Sequence, residues 1–455
     1  MRRGHFYGFL AVLMLAPLPL GLNRPLGWTI AIVVLALLCL TWPLARWRDK
    51  PRFSAPRTDL AVPGLLAGTV VIWAIIQAIP GMPPTMAHPV WQQAAGVLAL
   101  PVHASLSLAP DATLDGILRL LGYIAAFWLA FVHGASPRRA LRLVEGLGIA
   151  AGLYAVYGLI VYLTGSETIL WFDKWAYEGY LTGTFVNRNS YAAAAGLGLL
   201  CTMAAIAIRL EGRRPGWGPL ILHLQKPTAV FVLAWVVLAL SILASGSRAG
   251  FLSVTAGAIV FLAGMAVYGR EYGRRRAVMV LGALVVSIAA AWGAALVWSP
   301  SMDTLGNDRQ QIYALVLRAI AERPVLGHGL GSFPDLMRIL RTPAQNTVWV
   351  EVHNTYLELM LELGIPSALL LLAAIGVIVG RVFQGIGSRV KGGAYPCLAL
   401  AATVQIGLHS GVDFVAEIPA VTLAWVAILG LGAAQTRDLV RERRSRPVRS
   451  AAPEP

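Results

Sequence analysis

The chain has 455 residues, 57% of them hydrophobic and only 13% charged. That charge content is about half the roughly 25% usual for soluble domains, and one core cannot hide so much apolar surface, which excludes a soluble enzyme. The net charge of +15 raises nucleic acid as a partner, but a polytopic membrane protein gathers its Lys and Arg in cytoplasmic loops. Their distribution decides between the two.

Arg2 and Arg3 precede an apolar run near 6–22 that Pro17 and Pro19 interrupt, with no small-x-small cleavage site after it. It reads as an uncleaved first span. Further apolar segments, each near the roughly 20 residues a span needs, fall at 26–45, 60–80, 116–134, 143–163, 190–208, 228–246, 249–268, 277–298, 355–380, 394–412 and 414–435. The expectation is an all-α polytopic membrane protein with about twelve spans. The pairs at 228–268 and 394–435 are each one long apolar stretch, broken only by Gly246-Ser247-Arg248 and by Asp413.

The connecting segments alternate in charge. Arg46, Arg48, Lys50, Arg52 and Arg57 fill one, Arg138, Arg139 and Arg142 the next, and Arg209, Arg213, Arg214 and Lys226 another. Arg270 to Arg276, then Arg381, Arg389 and Lys391, then the tail from Arg437 to Arg449 continue the series. With Arg2 and Arg3 these hold 27 of the 37 basic residues, whereas Thr58 to Leu118 has none. The positive-inside rule puts both termini in the cytoplasm. The basicity is topological, with no nucleic-acid partner implied. Cys39, Cys201 and Cys397 sit far apart in apolar stretches, so neither a disulfide framework nor a zinc site is indicated.

Three outer segments are long enough for function: 81–115, 164–189 with Trp171, Trp175, Tyr177 and Tyr180, and 299–354. The last carries Ile312, Leu315, Val316, Ala319 and Ile320 at helical spacing. Against the basic-inside trend, Arg248 stands alone in Ser245-Gly246-Ser247-Arg248-Ala249-Gly250 at the outer end of two spans. An arginine at membrane depth is expensive and points to function. Arg188 lies between Asn187 and Asn189, whose amides suit sugar hydroxyls, and Asn189 or Ser190 is placed to cap the next helix. Arg309 and Arg318 fall on roughly opposite faces of the amphipathic run; Arg318 has Glu322 at i+4, which leaves Arg309 the better candidate. His353, followed by Asn354, enters a span at the end of the largest outer loop, and an imidazole titrates near neutral pH and serves as a general base. Glu358 and Glu362 follow at i, i+4 spacing, facing a polar cavity. His409, Asp413 and Glu417 share one face if their helix is continuous, either as a proton path in a transporter or as a buttress under the outer site.

At these residues the sequence resembles the O-antigen ligase and polymerase superfamily of bacterial envelope glycosyltransferases. His353-Asn354, then nine residues to Gly364-Ile365-Pro366-Ser367, is similar to the ligase pattern, with Ser367 where glycine is more usual. Ser245 to Gly250, Pro324 to Phe333, and His409-Ser410 through Asp413-Phe414 to Ala420 are also similar to the family, and Arg318 with Gly329 fits the Arg-x10-Gly pattern of polymerases. The resemblance covers roughly 180–420.

The resemblance implies a GT-C-like membrane fold with a periplasmic loop at 299–354 carrying short helices. It divides the chain into N-terminal transmembrane helices at 1–160, a catalytic membrane region at 161–435 and a basic cytoplasmic tail at 436–455. It implies an inverting glycosyltransferase in the bacterial inner membrane, working on the periplasmic face without metal or cofactor, on a glycan donor carried by undecaprenyl diphosphate. Arg248 and Arg309, with Arg188 third, match the diphosphate-binding arginines, and His353 the histidine that activates the acceptor hydroxyl. Asn187, Asn189, Asn354, Glu358 and Arg318 are supporting polar residues. Ligation of O-antigen to lipid A–core is the first expectation, polymerisation of lipid-linked repeat units the second, and a flippase or transporter the alternative from another class. The His409, Asp413 and Glu417 group alone favours transport.

Overall fold

The computed structural model describes residues 2–46, 58–211, 228–268, 282, 304–341, 349–386 and 393–436. Among them, α-helices run in chain order as α1 (Arg2–Leu15), α2 (Pro25–Arg46), α3 (Thr58–Ala78), α4 (Val90–Leu98), α5 (Pro110–Gly134), α6 (Pro137–Leu163) and α7 (Arg188–Leu210). After these come α8 (Thr228–Ala244), α9 (Arg248–Tyr268), α10 (Thr304–Glu322), α11 (Phe333–Leu340), α12 (Thr355–Leu363), α13 (Ile365–Ile386), α14 (Ala394–Ser410) and α15 (Pro419–Gln435). Single 3-10 turns fall at Leu20–Leu22 and Val415–Glu417, and a two-residue hairpin pairs Ile169 (β1) with Phe172 (β2).

Seven helices, α2, α3, α5, α6, α7, α9 and α13, are long and apolar enough to cross a membrane, with α8 and α15 shorter but apolar. The expected span at 277–298 lies outside the described residues, as do most of the basic connecting segments.

Helix α2 shows why such a chain needs lipid. Leu26, Ile30, Val33, Leu37 and Leu40 form an exposed stripe at helical spacing, whereas Trp28, Ala31, Leu35 and Trp42 are buried on the other side. A stripe that apolar is stable only against hydrocarbon, and a helix is what satisfies every backbone group there. Helix α7 is the opposite case, buried along nearly its whole length at the centre of the bundle. Its Ala and Gly residues let neighbours approach closely: a Cβ on Gly196 would run into Val254 of α9 and Gln405 of α14.

Connections alternate between the two ends of the bundle. Among the described residues, one end gathers the segments at 16–24, 79–109, 164–187, 245–247, 323–341, 349–354 and 411–418. Leu181 N donates to Ala244 O (3.4 Å), Leu108 N to His328 O (2.8 Å) and Asn354 Nδ2 to Gly411 O (3.0 Å), while Gly21 lies against Phe185 and Ile418. This capped end has its own apolar core of Leu108, Ile312, Val316, Ala319, Phe333, Leu336, Val352 and Leu361. The predicted amphipathic run is therefore α10, and its apolar face is the floor of the cap. The opposite end carries Arg138, Arg139 and Arg142 at the start of α6 and Arg209 at the end of α7, where Arg209 pairs with Glu145.

Two sequence expectations change. The apolar segment at 355–380 is not one helix: α12 belongs to the cap and the long helix starts at Ile365. Gly364 separates them with φ +78°, where a Cβ would strike Val325 O. The helix carrying His409 also stops, at Ser410, and the chain turns through Gly411–Asp413. His409, Asp413 and Glu417 therefore do not line one continuous face.

Candidate functional site

The first residue of the site is fixed by α7. Asn187 Oδ1 accepts the Asn189 N–H at 2.7 Å, so Asn187 is the N-cap and Arg188 the first helical residue. The cap expected at Asn189 or Ser190 falls two residues earlier, which leaves the Asn189 side chain for a distant partner. Its Nδ2 donates to Asp413 Oδ2, across 224 residues of sequence. The Arg188 guanidinium lies over the Tyr180 ring at 4.0 Å and the Tyr177 ring at 5.9 Å, a cation–π cradle that holds the charge beside the turn at Gly246.

That turn places Arg248. Gly246 has φ +63°, and Ser247 Oγ accepts the Gly250 N–H at 3.1 Å, so α9 begins with Arg248 in an exposed position. Arg248 and Arg188 thus flank the same turn, because Tyr180 and Arg188 both pack against Gly246.

His353 comes from the other side. Asn354 caps α12, its Oδ1 accepting from Tyr356 N and Leu357 N at 3.1 Å, while its Nδ2 reaches Gly411 O. Just before it, His353 adopts φ +60°, a left-handed conformation uncommon outside glycine and found at functional sites. Tyr313 Oη donates to its carbonyl at 3.0 Å, and the imidazole stands edge-on to Trp349 and Phe414 with centroids 5.3 and 4.8 Å away. Nδ1 lies 3.3 Å from Asp413 Oδ1, an ion-pair distance with poor hydrogen-bond alignment. The His353 side chain is 16% exposed and Asp413 1%.

Asp413 is the hub. It touches His353 and Asn189 and accepts the Phe414 N–H at 2.8 Å. Burial opposes its charge, but the His353 imidazole, His409 and the Phe414 amide together hold its carboxyl below the ordinary value. Arg309 arrives from α10, its Nη1 donating to Val412 O at 3.3 Å. Tyr177 senses the whole group: burial pushes its phenol up, Asp413 adds to that, and Arg188 and Arg309 oppose it. The structure therefore brings His353, Asp413, Asn189, Arg188 and Arg309 together at the capped end. A histidine backed by a carboxylate and ringed by arginines can take a proton from a hydroxyl while holding an anionic group.

The remaining candidates divide. Arg318 is exposed on the outer side of α10 and stands apart from this group. Glu358 is 6% exposed, and its Oε2 accepts the Val352 N–H at 3.0 Å, pinning the turn that carries His353. Glu362 Oε1 accepts Phe333 N at 3.1 Å and holds the start of α11 in the same way. Carboxylate oxygens of Glu351, Glu358 and Glu417 lie within 4.8 Å of one another, a spacing that could hold a cation. Burial, then the charges of Glu351 and Glu362, push the Glu358 carboxyl well above its usual range.

The sequence groups Asp413 with His409 and Glu417, and nothing in their spacing points to His353, sixty residues earlier. Tyr177, Tyr180 and Tyr313 were missed because an aromatic near a membrane interface has an ordinary reason to be there.

Beside the site, a small apolar cleft of about 50 Å³ runs between α1, α6, α7 and α15. Phe185 and Tyr191, on either side of Asn187–Arg188, form part of its wall, with Leu147, Cys201 and Ile428 further along.

A search of curated proteins finds no match to the chain. A family model does match, across the stretch that contains Arg248, Arg309 and His353 and stops short of Asp413. That stretch, residues 229–372, is similar to the O-antigen ligase family, and the long apolar helices are those of a membrane protein.

Proposed function

We propose that the protein is an inverting glycosyltransferase of the bacterial inner membrane, transferring a glycan from undecaprenyl diphosphate to a hydroxyl of lipid A–core on the periplasmic face. The gathering of His353, Asp413, Arg309 and Arg188 at one end of an apolar helical bundle carries this reading. The arginines beside the histidine support a donor that carries phosphate. About twelve spans in a GT-C-like arrangement, with both termini cytoplasmic, complete the proposal.

His353 Nε2 takes the proton of the acceptor hydroxyl. The oxygen attacks the anomeric carbon from the face opposite the diphosphate, and the carbon–oxygen bond to the diphosphate breaks with its electron pair. Asp413 orients the imidazole and stabilises the imidazolium that forms. The charge left on the diphosphate meets arginines, whose planar forks pair with phosphate oxygens and never deprotonate. Diphosphate is already a good leaving group, so charge neutralisation matters more than a protonating acid, and no step requires a metal.

The test uses the purified full chain with lipid-linked donor and lipid A–core acceptor. His353→Ala is expected to abolish transfer while donor still binds, and Arg248→Glu to weaken donor binding. Retained turnover in H353A removes the assigned base. In cells, deletion is expected to leave long lipid-linked glycan and bare core; core carrying a single repeat identifies a polymerase instead.

A further inference from the structure

His409 occupies the last turn of α14 and is 0% exposed. Neither ring nitrogen has a hydrogen-bond partner among the described residues. Ser190 Oγ, Ser410 Oγ and Gln405 Oε1 are likewise buried and unpartnered. The helices that carry them, α7 and α14, run antiparallel in a register that two contacts fix. Gln405 Nε2 donates to Ala193 O at 2.9 Å, and one turn further toward the cap Asn189 Nδ2 donates to Asp413. His409, one turn along from Gln405, thus falls between these contacts, opposite the first turn of α7. Helix α9 also packs closely on α7, with Gly250 against Ala192.

An imidazole buried with both nitrogens unmet is costly, and protein interiors meet such groups with ordered water. A neutral imidazole also offers one N–H, and the nearest acceptor of full charge is Asp413, whose carboxyl His409 helps to hold in its charged form. Asp413 in turn presents that charge to His353.

We propose that His409 is a positioning residue for the His353–Asp413 pair, acting through ordered water held between α7 and α14. Its N–H side is directed at the Asp413 carboxylate and shares the charge that His353 would otherwise meet in full. Other groups surround the pair and stay constant in the test: Arg309 and Tyr313 from α10, Tyr177 from the 164–187 segment, Arg188 from α7, Glu358 from α12, and Glu351 and Glu417 from the flanking turns. The effect on rate rests on the glycan-transfer reading; the effect on the titration of His353 does not.

The experiment is a histidine NMR titration of the full chain in detergent, with His353 assigned by its absence in H353A. Removing the donor leaves more of the Asp413 charge for His353, so the imidazolium is favoured. His409→Leu is expected to move the His353 midpoint up by ~0.5–1 pH unit, and His409→Gln, which keeps a donor and an acceptor, to return it toward wild type. The acid limb of the pH–rate profile moves with it. An unchanged midpoint in folded H409L, or an equal shift in H409Q, overturns the proposal. Should H409L not fold, His409→Met, with similar volume and no donor, replaces it. If wild type shows no glycan transfer, the functional reading fails while the titration still judges His409.

Discussion

At the level of single residues, Asp413 joins the two halves of the site. It is 1% exposed, is held charged against the cost of burial, and bridges an imidazole from the α12 turn to an asparagine from α7. A carboxylate in that position fixes the tautomer of its histidine and stabilises the imidazolium, which is a contribution to the transition state more than to binding. Asp413→Asn is expected to lower kcat ~100-fold with little change in KM for the lipid-linked donor, the span typical of general-base contributions. Initial rates on purified protein measure this, and a wild-type kcat would show that His353 needs no carboxylate. His353, Arg248 and Arg309 were legible in the sequence because charge at an otherwise apolar or cation-poor end stands out. Asn189 and Asp413 were not, because their meeting depends on the packing of α7 against α14, and the cap chemistry that frees Asn189 belongs to Asn187.

Between elements, a pair of histidines staples the cap. Val90 N–H donates to His88 Nδ1 (3.3 Å), which leaves the proton of His88 on Nε2, facing His328 Nδ1 at 3.0 Å. His328 Nε2 then donates to Ala319 O at 3.0 Å. Arg323 adds bonds to Met86 O and Ala87 O, so the 79–109 segment is tied to α10 and the loop after it. The chain of bonds requires both rings neutral. Burial, then the charges of His328 and Arg323, push His88 down to about 3. An unfolded histidine takes up its proton near 6.5, so the folded form loses stability as pH falls from about 6.5 toward 3. Thermal unfolding of the full chain is expected to show Tm falling across that range, and His88→Gln to flatten the fall. An equally steep fall in the variant would place the acid sensitivity elsewhere. The amphipathic period of α10 was readable in the sequence, but the staple was not, since His88 and His328 stand 240 residues apart.

For the molecule as a whole, the alternation of connections between two ends is the property that gives the site a side. The segments holding Arg188, Arg248, Arg309, His353 and Asp413 all reach the capped end, and Arg138, Arg139, Arg142 and Arg209 stand at the other. On the proposed reading, the positive-inside rule makes the capped end the periplasmic one. With Cys39, Cys201 and Cys397 replaced by alanine, an impermeant thiol reagent on spheroplasts is expected to label Glu178→Cys and to reach Arg138→Cys only after permeabilisation. The reverse pattern would put the site in the cytoplasm and end the lipid-linked donor reading. Hydropathy and charge by themselves determined that the chain is helical and membrane-bound, where its basic segments lie, and which few cations are out of place, because insertion into lipid is decided locally by runs of apolar residues and their flanking charges. Only the tertiary structure decided that α12 belongs to the cap, that the helix of His409 ends before Asp413, and that Asp413 meets His353. Those outcomes follow from side chains hundreds of residues apart packing into one volume, and no local pattern records which of them will touch.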